Sequence, residues 1–320
     1  MKSPGIAMGT RGVIAVDKVG NQILFLNPQT FEIRSALEGF EPNVHELAIA
    51  PDGSTAYAPI YGDGRHGDNP HPGNHIVVVD LERRERLDDL TVAPYLAPHG
   101  LRWGPRGELY CVCEDSGVVI ELDAVTGEHR AVIAVGSTNA HRIEVLPDGS
   151  KLYTENEEDA FATVIDLRHR RRLPDVPAPG GLAGLAMHPD GTTVVLVSAA
   201  RPELVILDTA DDAIVRTVPL TGNTRPAQIA RYSPDGRYLV VTSVDEDLAT
   251  ILDAGLDAGF RVRATVPVGS QPMDMAFAPD GRSVVIANQG DGTLTAIDLP
   301  SGRVQDVVEV GSGVETLAYY

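Results

Sequence analysis

The chain has few aromatic residues and only two cysteines, and both shortages limit what it can be. Aromatic residues make up 5% of the 320 positions. A core must therefore be built from Val, Ile, Leu and Ala, and such a core favours strands. Cys111 and Cys113 stand two residues apart, so on one strand they point to the same side with poor geometry for a disulfide. We expect buried free thiols and a reducing compartment.

Long apolar runs and positive charge are also scarce. No segment reaches the ~18 apolar residues of a membrane span, and the start, "MKSPGIAMGTRGVIAVD", lacks the apolar run of a signal peptide. A cytoplasmic location is therefore predicted. The net charge of −19 repels phosphate backbones and anionic lipids, which argues against nucleic acid and membranes as partners. A small-molecule substrate is the partner we expect, while the oligomeric state stays open.

A short turn recurs along the chain. It ends the segments "HELAIAPDG", "HGLRWGPRG", "HRIEVLPDG", "AGLAMHPDG", "QIARYSPDG" and "MDMAFAPDG", whose turn prolines are Pro51, Pro105, Pro147, Pro189, Pro234 and Pro279. Each turn joins two short apolar segments, a third segment ends in an acidic residue, and a more polar fourth leads to the next unit. After a longer first interval the period is in the low forties, and four strands per period predict a β-propeller.

The two ends of the sequence complete one further unit. The C-terminal "ETLAYY" (315–320) matches "HELAIA" of the first repeat, and three strand-like segments, "GVIAVDK", "NQILFLN" and "FEIRSAL", precede that repeat. We predict an all-β, seven-bladed β-propeller over residues 1–320, a single domain with four antiparallel strands per blade and next to no helix. The C-terminal strand joins the three N-terminal strands, which closes the ring and removes open sheet edges.

One segment carries a family resemblance. "VGSQPMDMAFAPDGRSVVIANQGDGTLTAIDLPSGRV" resembles the YVTN repeat of bacterial propellers, and looser copies cover nearly the whole chain. Through this repeat the chain resembles the seven-bladed lactonase-like propeller superfamily. The resemblance implies the scaffold, and it suggests lactone-type substrates. It does not identify the chemistry, because propellers host hydrolases, lyases, oxidoreductases and binding modules alike.

One position of the repeat is unusually rich in histidine. Six residues before the turn proline stand His45, His99 and His141 on three consecutive repeats, and Glu315 occupies the matching position of the closing unit. This position begins the innermost strand of each blade, and those strands converge on one mouth of the central channel. Imidazoles and a carboxylate bind Zn, Fe, Mn, Ni or Cu. We predict that these four residues hold a divalent transition metal whose identity the sequence does not determine.

Further candidates lie on the same face of the ring. Glu114 and Glu155 end second strands and are predicted to orient ligands or to move protons. The long first interval adds a loop, "YGDGRHGDNPHPGNH" (61–75), whose Gly and Pro content argues against a core element. That loop supplies His66 as a catalytic candidate, a further ligand or part of a lid. The predicted substrate contacts are Tyr61, His71, Gln228 and Met273.

Several functions fit this pattern. The leading interpretation is a metal-dependent enzyme with hydrolase, lyase or isomerase chemistry at a polarised carbonyl. A redox iron or copper enzyme would use the same ligands, and a cofactorless enzyme would use the histidines as acid and base. A non-enzymatic propeller that serves as a binding module, with the histidines as a polar plug, is the remaining alternative.

Overall fold

The computed structural model describes residues 10–157, 159–254 and 259–320. Within those ranges the chain forms thirty strands in seven antiparallel sheets and contains no helix. Each sheet is one blade, so the predicted all-β, seven-bladed propeller is confirmed. None of the described segments is a helix of the length and apolarity that crossing a membrane requires.

We number the blades by their turn prolines and the strands in chain order. Blade 1 contains β4 (Ala48–Ile49), β5 (Thr55–Gly62), β6 (Pro72–Asp80), β7 (Glu85–Arg86) and β8 (Leu90–Thr91). Blade 2 contains β9 (Pro98–Trp103), β10 (Leu109–Cys113), β11 (Val118–Leu122) and β12 (His129–Ala134). Blade 3 contains β13 (Ala140–Val145), β14 (Lys151–Asn156), β15 (Phe161–Asp166), β16 (Arg171–Arg172) and β17 (Val176–Pro177).

The remaining blades are more regular. Blade 4 contains β18 (Leu182–Met187), β19 (Thr193–Ser198), β20 (Glu203–Asp208) and β21 (Ala213–Pro219). Blade 5 contains β22 (Ile229–Tyr232), β23 (Tyr238–Ser243), β24 (Leu248–Asp253) and β25 (Arg261–Pro267). Blade 6 contains β26 (Pro272–Phe277), β27 (Ser283–Asn288), β28 (Thr293–Asp298) and β29 (Arg303–Glu309). Blade 7 contains β1 (Val13–Asp17), β2 (Gln22–Leu26), β3 (Ile33–Leu37) and β30 (Val314–Tyr319).

The recurring turn works as its sequence predicts. In the first copy the backbone amide of Gly53 donates to the carbonyl of Ala50, and Gly53 has φ +70°. Asp52 accepts a hydrogen bond from the backbone amide of Ser54 at 2.9 Å. Glycine adopts this left-handed conformation without steric cost, and aspartate closes the turn by bonding its local backbone. The turn thus connects the innermost strand of each blade to the second strand of that blade.

Ring closure follows the prediction. Strand β30 pairs antiparallel with β1, with Leu317 opposite Ala15 and Tyr319 opposite Val13. Leu317 lies in one apolar cluster with Val13 and Ala15 and with residues of blade 6. The ends of the chain therefore share a blade and a core, and the innermost edge of β1 is covered.

Leu317→Ala tests how much this closure stabilises the ring. Leu317 is 4% exposed, so removing its side chain leaves a cavity where the two ends of the chain meet. We expect the free energy of unfolding to fall by about 3 kcal/mol, as measured by urea denaturation. Val307→Ala on the outer strand β29, where the side chain is 55% exposed, is the matched control. Equal, small effects for both variants would contradict a shared core at the closure.

Two details differ from the sequence prediction. The segment 61–75 is not entirely a loop, because β5 continues to Gly62 and β6 begins at Pro72. The hairpin of blade 1 is therefore extended, and only residues 63–71 form its tip. In blades 1 and 3 the outer strand is broken into two pieces of two residues each. Cys111 and Cys113 are buried free thiols on β10, as expected.

Candidate metal centre

Three histidines meet at one mouth of the channel. His99 and His141 lie near the starts of β9 and β13, and His45 lies three residues before β4. All three are buried, and one possible ligand atom from each lies within 4.8 Å of the others. His45 Nε2 and His99 Nε2 are 2.5 Å apart. The ring of blades thus brings together three of the four residues that the repeat predicts as metal ligands.

Two of the three histidines have a carboxylate close behind the Nδ1 atom. For His45 the distance to Glu315 Oε2 is 2.8 Å. For His141 the distances are 3.0 Å to Glu157 Oε2 and 3.4 Å to Glu155 Oε1. A carboxylate in this position fixes the ring orientation and leaves Nε2 free for an ion. The third ring, His99, has its nearest carboxylate, Glu46 Oε1, at a longer 3.9 Å.

The sequence predicts Glu315 as a direct metal ligand. In the structure Glu315 lies behind His45, on the Nδ1 side of its ring. Its carboxylate approaches Nδ1 of His45, whereas Nε2 on the opposite side of that ring approaches His99. The imidazole of His45 therefore stands between Glu315 and the other two histidines. The second oxygen of Glu315 accepts a hydrogen bond from Lys18 Nζ at 3.2 Å. This geometry favours a role for Glu315 in orienting His45, and its role as a fourth direct ligand stays a prediction.

Glu315→Gln separates these two roles. If Glu315 only orients His45, the variant should still bind one metal ion per chain, with an affinity about 10–100-fold lower. Metal titration followed by elemental analysis measures both quantities. A complete loss of binding, equal to the effect of removing a histidine, would identify Glu315 as a direct ligand.

The surroundings of the three histidines carry an excess of negative charge. The buried or nearly buried carboxylates around them outnumber the two neighbouring cations, Lys18 and Arg142; these carboxylates are Glu46, Glu114, Glu155, Glu157 and Glu315. Burial lowers the pKa of His141, but Glu157 and Glu155 outweigh it and raise that pKa to about 10. The excess of negative charge therefore favours the binding of a cation at this site.

The pKa of the central ring shifts in the opposite direction. Burial, followed by the neighbouring His141 and His45, holds the pKa of His99 well below its usual value. His99 is consequently a neutral imidazole, which is the form that binds metal ions. Its Nδ1 atom is buried without a hydrogen-bond partner among the described residues.

A second group of side chains covers the cluster on its outer side. Glu114 Oε1 accepts hydrogen bonds from Tyr61 Oη at 2.8 Å and from His66 Nδ1 at 3.0 Å. The ring of Tyr61 packs 5.5 Å from His45 and 5.4 Å from His99, measured between centroids. An open cleft of about 530 Å³ lies beside His66; Arg65, His66, Gly67, Asp68, Asn139 and Glu157 line it. Tyr61, His66 and Glu114 therefore lie at the site, as the sequence predicts.

Other predicted substrate contacts lie elsewhere. The side chain of His71 is 80% exposed and bonds to Asp63 at 2.7 Å, because it sits on the outer side of the hairpin tip. Met273 packs into the apolar cluster that includes residues of β23 and β27, and its carbonyl accepts from Thr242 Oγ1. Substrate contact by these two residues stays a prediction. Gln228 is partly buried at the start of blade 5, and its contact with substrate stays a prediction.

A layer of buried charges beneath the histidines was not predicted. Arg142 Nε lies 3.2 Å from Glu46 Oε1, a contact between blades 3 and 1. Arg231 Nε and Nη2 bond to Asp274 at 2.5 and 2.6 Å, and Thr316 Oγ1 of blade 7 donates to the same carboxylate at 2.9 Å. We call these five residues the channel floor. Its contacts join residues of blades 1, 3, 5, 6 and 7 across the channel.

The channel floor did leave a signal in the sequence. Four of its members, Glu46, Arg142, Asp274 and Thr316, directly follow the histidine position of their repeats, where the other three blades have Gly100, Gly184 and Ile229. Three charged residues at a position that is otherwise uncharged indicate a buried pairing, because an unpaired charge there would be costly. The partner of each charged residue comes from a distant repeat, so this pattern does not show which residues form the pairs.

Comparisons with known proteins agree with this architecture. The family model described as lactonase, 7-bladed beta-propeller, matches residues 191–316. No curated protein matches the sequence significantly. The resemblance to the lactonase-like superfamily is thereby confirmed over residues 191–316, and the fold of the chain is that of a seven-bladed β-propeller.

Several solved structures share the fold over almost their whole length. The periplasmic gluconolactonase PpgL of Pseudomonas aeruginosa is 20% identical, with a TM-score of 0.77 and 96% and 98% of the two chains covered. A putative 6-phosphogluconolactonase from Bacteroides uniformis is 16% identical, with a TM-score of 0.78 and 97% and 99% covered. A Kuenenia stuttgartiensis hydrazine synthase chain is 18% identical, with a TM-score of 0.73 and 97% and 99% covered. At these identities the likeness is one of fold alone.

Proposed function

We propose that the chain is a metal-dependent hydrolase that acts on a small carbonyl compound of the lactone type at the channel mouth. The observation that carries the proposal is the group of three buried histidines whose ligand atoms lie within 4.8 Å of one another. The lactonase-like fold and the named lactonases among the similar structures support the reaction class.

The residues fit a metal ion by their donor chemistry. His45 and His99 direct their Nε2 atoms toward each other at 2.5 Å, and a pair of neutral rings can share only one proton in that contact. An ion at about 2.1 Å from each nitrogen would satisfy both rings after a small separation of the side chains. An all-nitrogen donor set favours Zn, Fe, Ni or Cu over Mg and Ca, which prefer oxygen ligands.

A metal ion bound here would polarise a carbonyl oxygen and lower the pKa of a coordinated water. The protein supplies the rest of the site. Glu155 and Glu157 orient His141, and Glu114 holds Tyr61 and His66 above the cluster. The ring of Tyr61 shields His45 and His99 from bulk water. In this proposal substrate enters and product leaves along the open cleft at His66.

The test combines metal content with turnover. Purified protein is analysed for transition metals and then assayed on a panel of sugar and aliphatic lactones, before and after chelation and after metal is added back. One ion per chain, with hydrolysis lost on chelation and restored by metal, is the expected result. Activity that survives removal of all metal would indicate a cofactorless acid–base enzyme. Iron or copper without lactone hydrolysis would favour the redox alternative, and neither metal nor turnover would favour a binding module.

A further inference from the structure

A fourth histidine at the mouth, His66, is arranged like two of the other three, His45 and His141. His66 Nδ1 bonds to Glu114 Oε1 at 3.0 Å, just as the Nδ1 atoms of His45 and His141 face carboxylates at 2.8 and 3.0 Å. Glu114 is 1% exposed. A carboxylate behind Nδ1 leaves Nε2 as the available nitrogen of the ring.

The spacing of the rings also fits a shared ion. Two imidazoles bound to one ion at about 2.1 Å in tetrahedral directions have ring centroids about 5.3 Å apart. The centroids of His66 and His141 are 5.8 Å apart, close to that separation. The pairs His99–His141 at 3.7 Å and His45–His99 at 4.2 Å are closer than that. Binding an ion would therefore move those rings apart. Their centroid distances would approach the 5.8 Å that already separates His66 from His141.

The position of His66 in the chain allows the movement that binding requires. His66 is not within the group of three whose ligand atoms lie within 4.8 Å of one another. It lies on the hairpin tip 63–71, whereas His99 and His141 lie within strands. The tip is fastened by a short pairing of Arg65 with Asp68. A small displacement of such a tip costs less than a displacement of a strand, since few buried contacts must break.

From these observations we infer that His66 is a fourth metal-binding nitrogen, carried onto the ion by the hairpin tip and positioned by Glu114. The inference deepens the proposed function, on whose metal site it rests. A ligand on a hairpin tip can leave the ion more readily than a ligand on a strand when substrate needs the position. The hairpin extension that distinguishes blade 1 would thus exist to bring this ligand over the channel.

The experiment compares metal binding by three proteins: the wild type, His66→Ala and His71→Ala. His71 is the matched control, because it lies on the same hairpin tip but is 80% exposed and bonds only to Asp63. Each protein is freed of metal and titrated with Co²⁺, and the visible absorption spectrum and the dissociation constant are recorded. We expect at least a tenfold weaker affinity and an altered spectrum for His66→Ala, and no change for His71→Ala. Added imidazole should restore the wild-type spectrum of His66→Ala.

A second variant tests the positioning role. Glu114→Gln keeps the size of the side chain but weakens its hold on His66 Nδ1, so we expect an affinity between those of the wild type and His66→Ala. Unchanged affinity and spectrum in His66→Ala would overturn the inference while leaving the three-histidine site and the proposed function in place. Absence of Co²⁺ binding by the wild type would overturn both. The two failures are therefore distinguishable.

Discussion

His99→Ala should lose its metal and its activity together while it keeps its fold. His99 is the central ring of the cluster, with centroids 4.2 Å from His45 and 3.7 Å from His141. Without it two buried histidines and His66 on the hairpin tip remain, and a site that has lost its central nitrogen binds the ion much more weakly. We expect less than a tenth of the wild-type metal content, measured by elemental analysis, and a loss of turnover of at least a hundredfold. The circular dichroism spectrum should be unchanged.

His169→Ala provides the control for this experiment. His169 is 62% exposed on a turn of blade 3 and bonds only to Asp166, so its removal should affect neither metal nor activity. Retention of a full metal complement by His99→Ala would contradict the site. A loss of activity without a loss of metal would instead indicate that His99 serves as an acid or a base.

Asp274→Ala should produce the largest loss of stability that we expect from a single substitution. Asp274 is 3% exposed and receives two hydrogen bonds from Arg231 and one from Thr316. Arg231 and the neighbouring cation Arg142 hold the pKa of the Asp274 carboxyl low against the effect of burial. Removing this carboxylate leaves the guanidinium of Arg231, whose side chain is 25% exposed, without its partner. A fully buried unpaired charge costs about 3–5 kcal/mol in the free energy of unfolding, which is the upper limit for this variant.

Two further variants identify the cause of that loss. Asp245→Ala removes an exposed ion pair with Arg225 on blade 5, where it should change the stability little. The double variant Arg231→Met, Asp274→Ala removes both charges of the buried pair and should recover most of the loss, because an apolar side chain tolerates burial. Urea denaturation of all three proteins gives the comparison. A double variant as unstable as Asp274→Ala would show that the loss comes from packing and not from the unpaired charge.

The repeat was sufficient to predict the scaffold. A turn such as Pro51-Asp52-Gly53 and a strand such as Thr193–Ser198 are local features, determined by backbone preference and by the alternation of apolar residues. Their period determines the number of blades. The match between 315–320 and the first repeat was sufficient to predict that β30 would pair with β1, since a ring with four strands per blade leaves that strand no other place.

The position of the candidate ligands followed from the same periodicity. Residues at one repeat position stand at equivalent places around the ring, so His45, His99 and His141 had to lie near one mouth of the channel. The sequence could not show which side of His45 the carboxylate of Glu315 approaches. That depends on how far each side chain reaches toward the axis, and neighbouring rings and carboxylates compete for the same space.

What the sequence alone determined is therefore the ring, its closure and the level at which its histidines lie. Only the tertiary structure decided the pairing of Glu46 with Arg142 across the channel, the contact of His66 with Glu114, and the exposure of His71. The reason is physical. Strands and turns depend on interactions between near neighbours in the chain, whereas the charges at the channel axis meet across repeats, where burial allows a charge to persist only beside a partner from another blade.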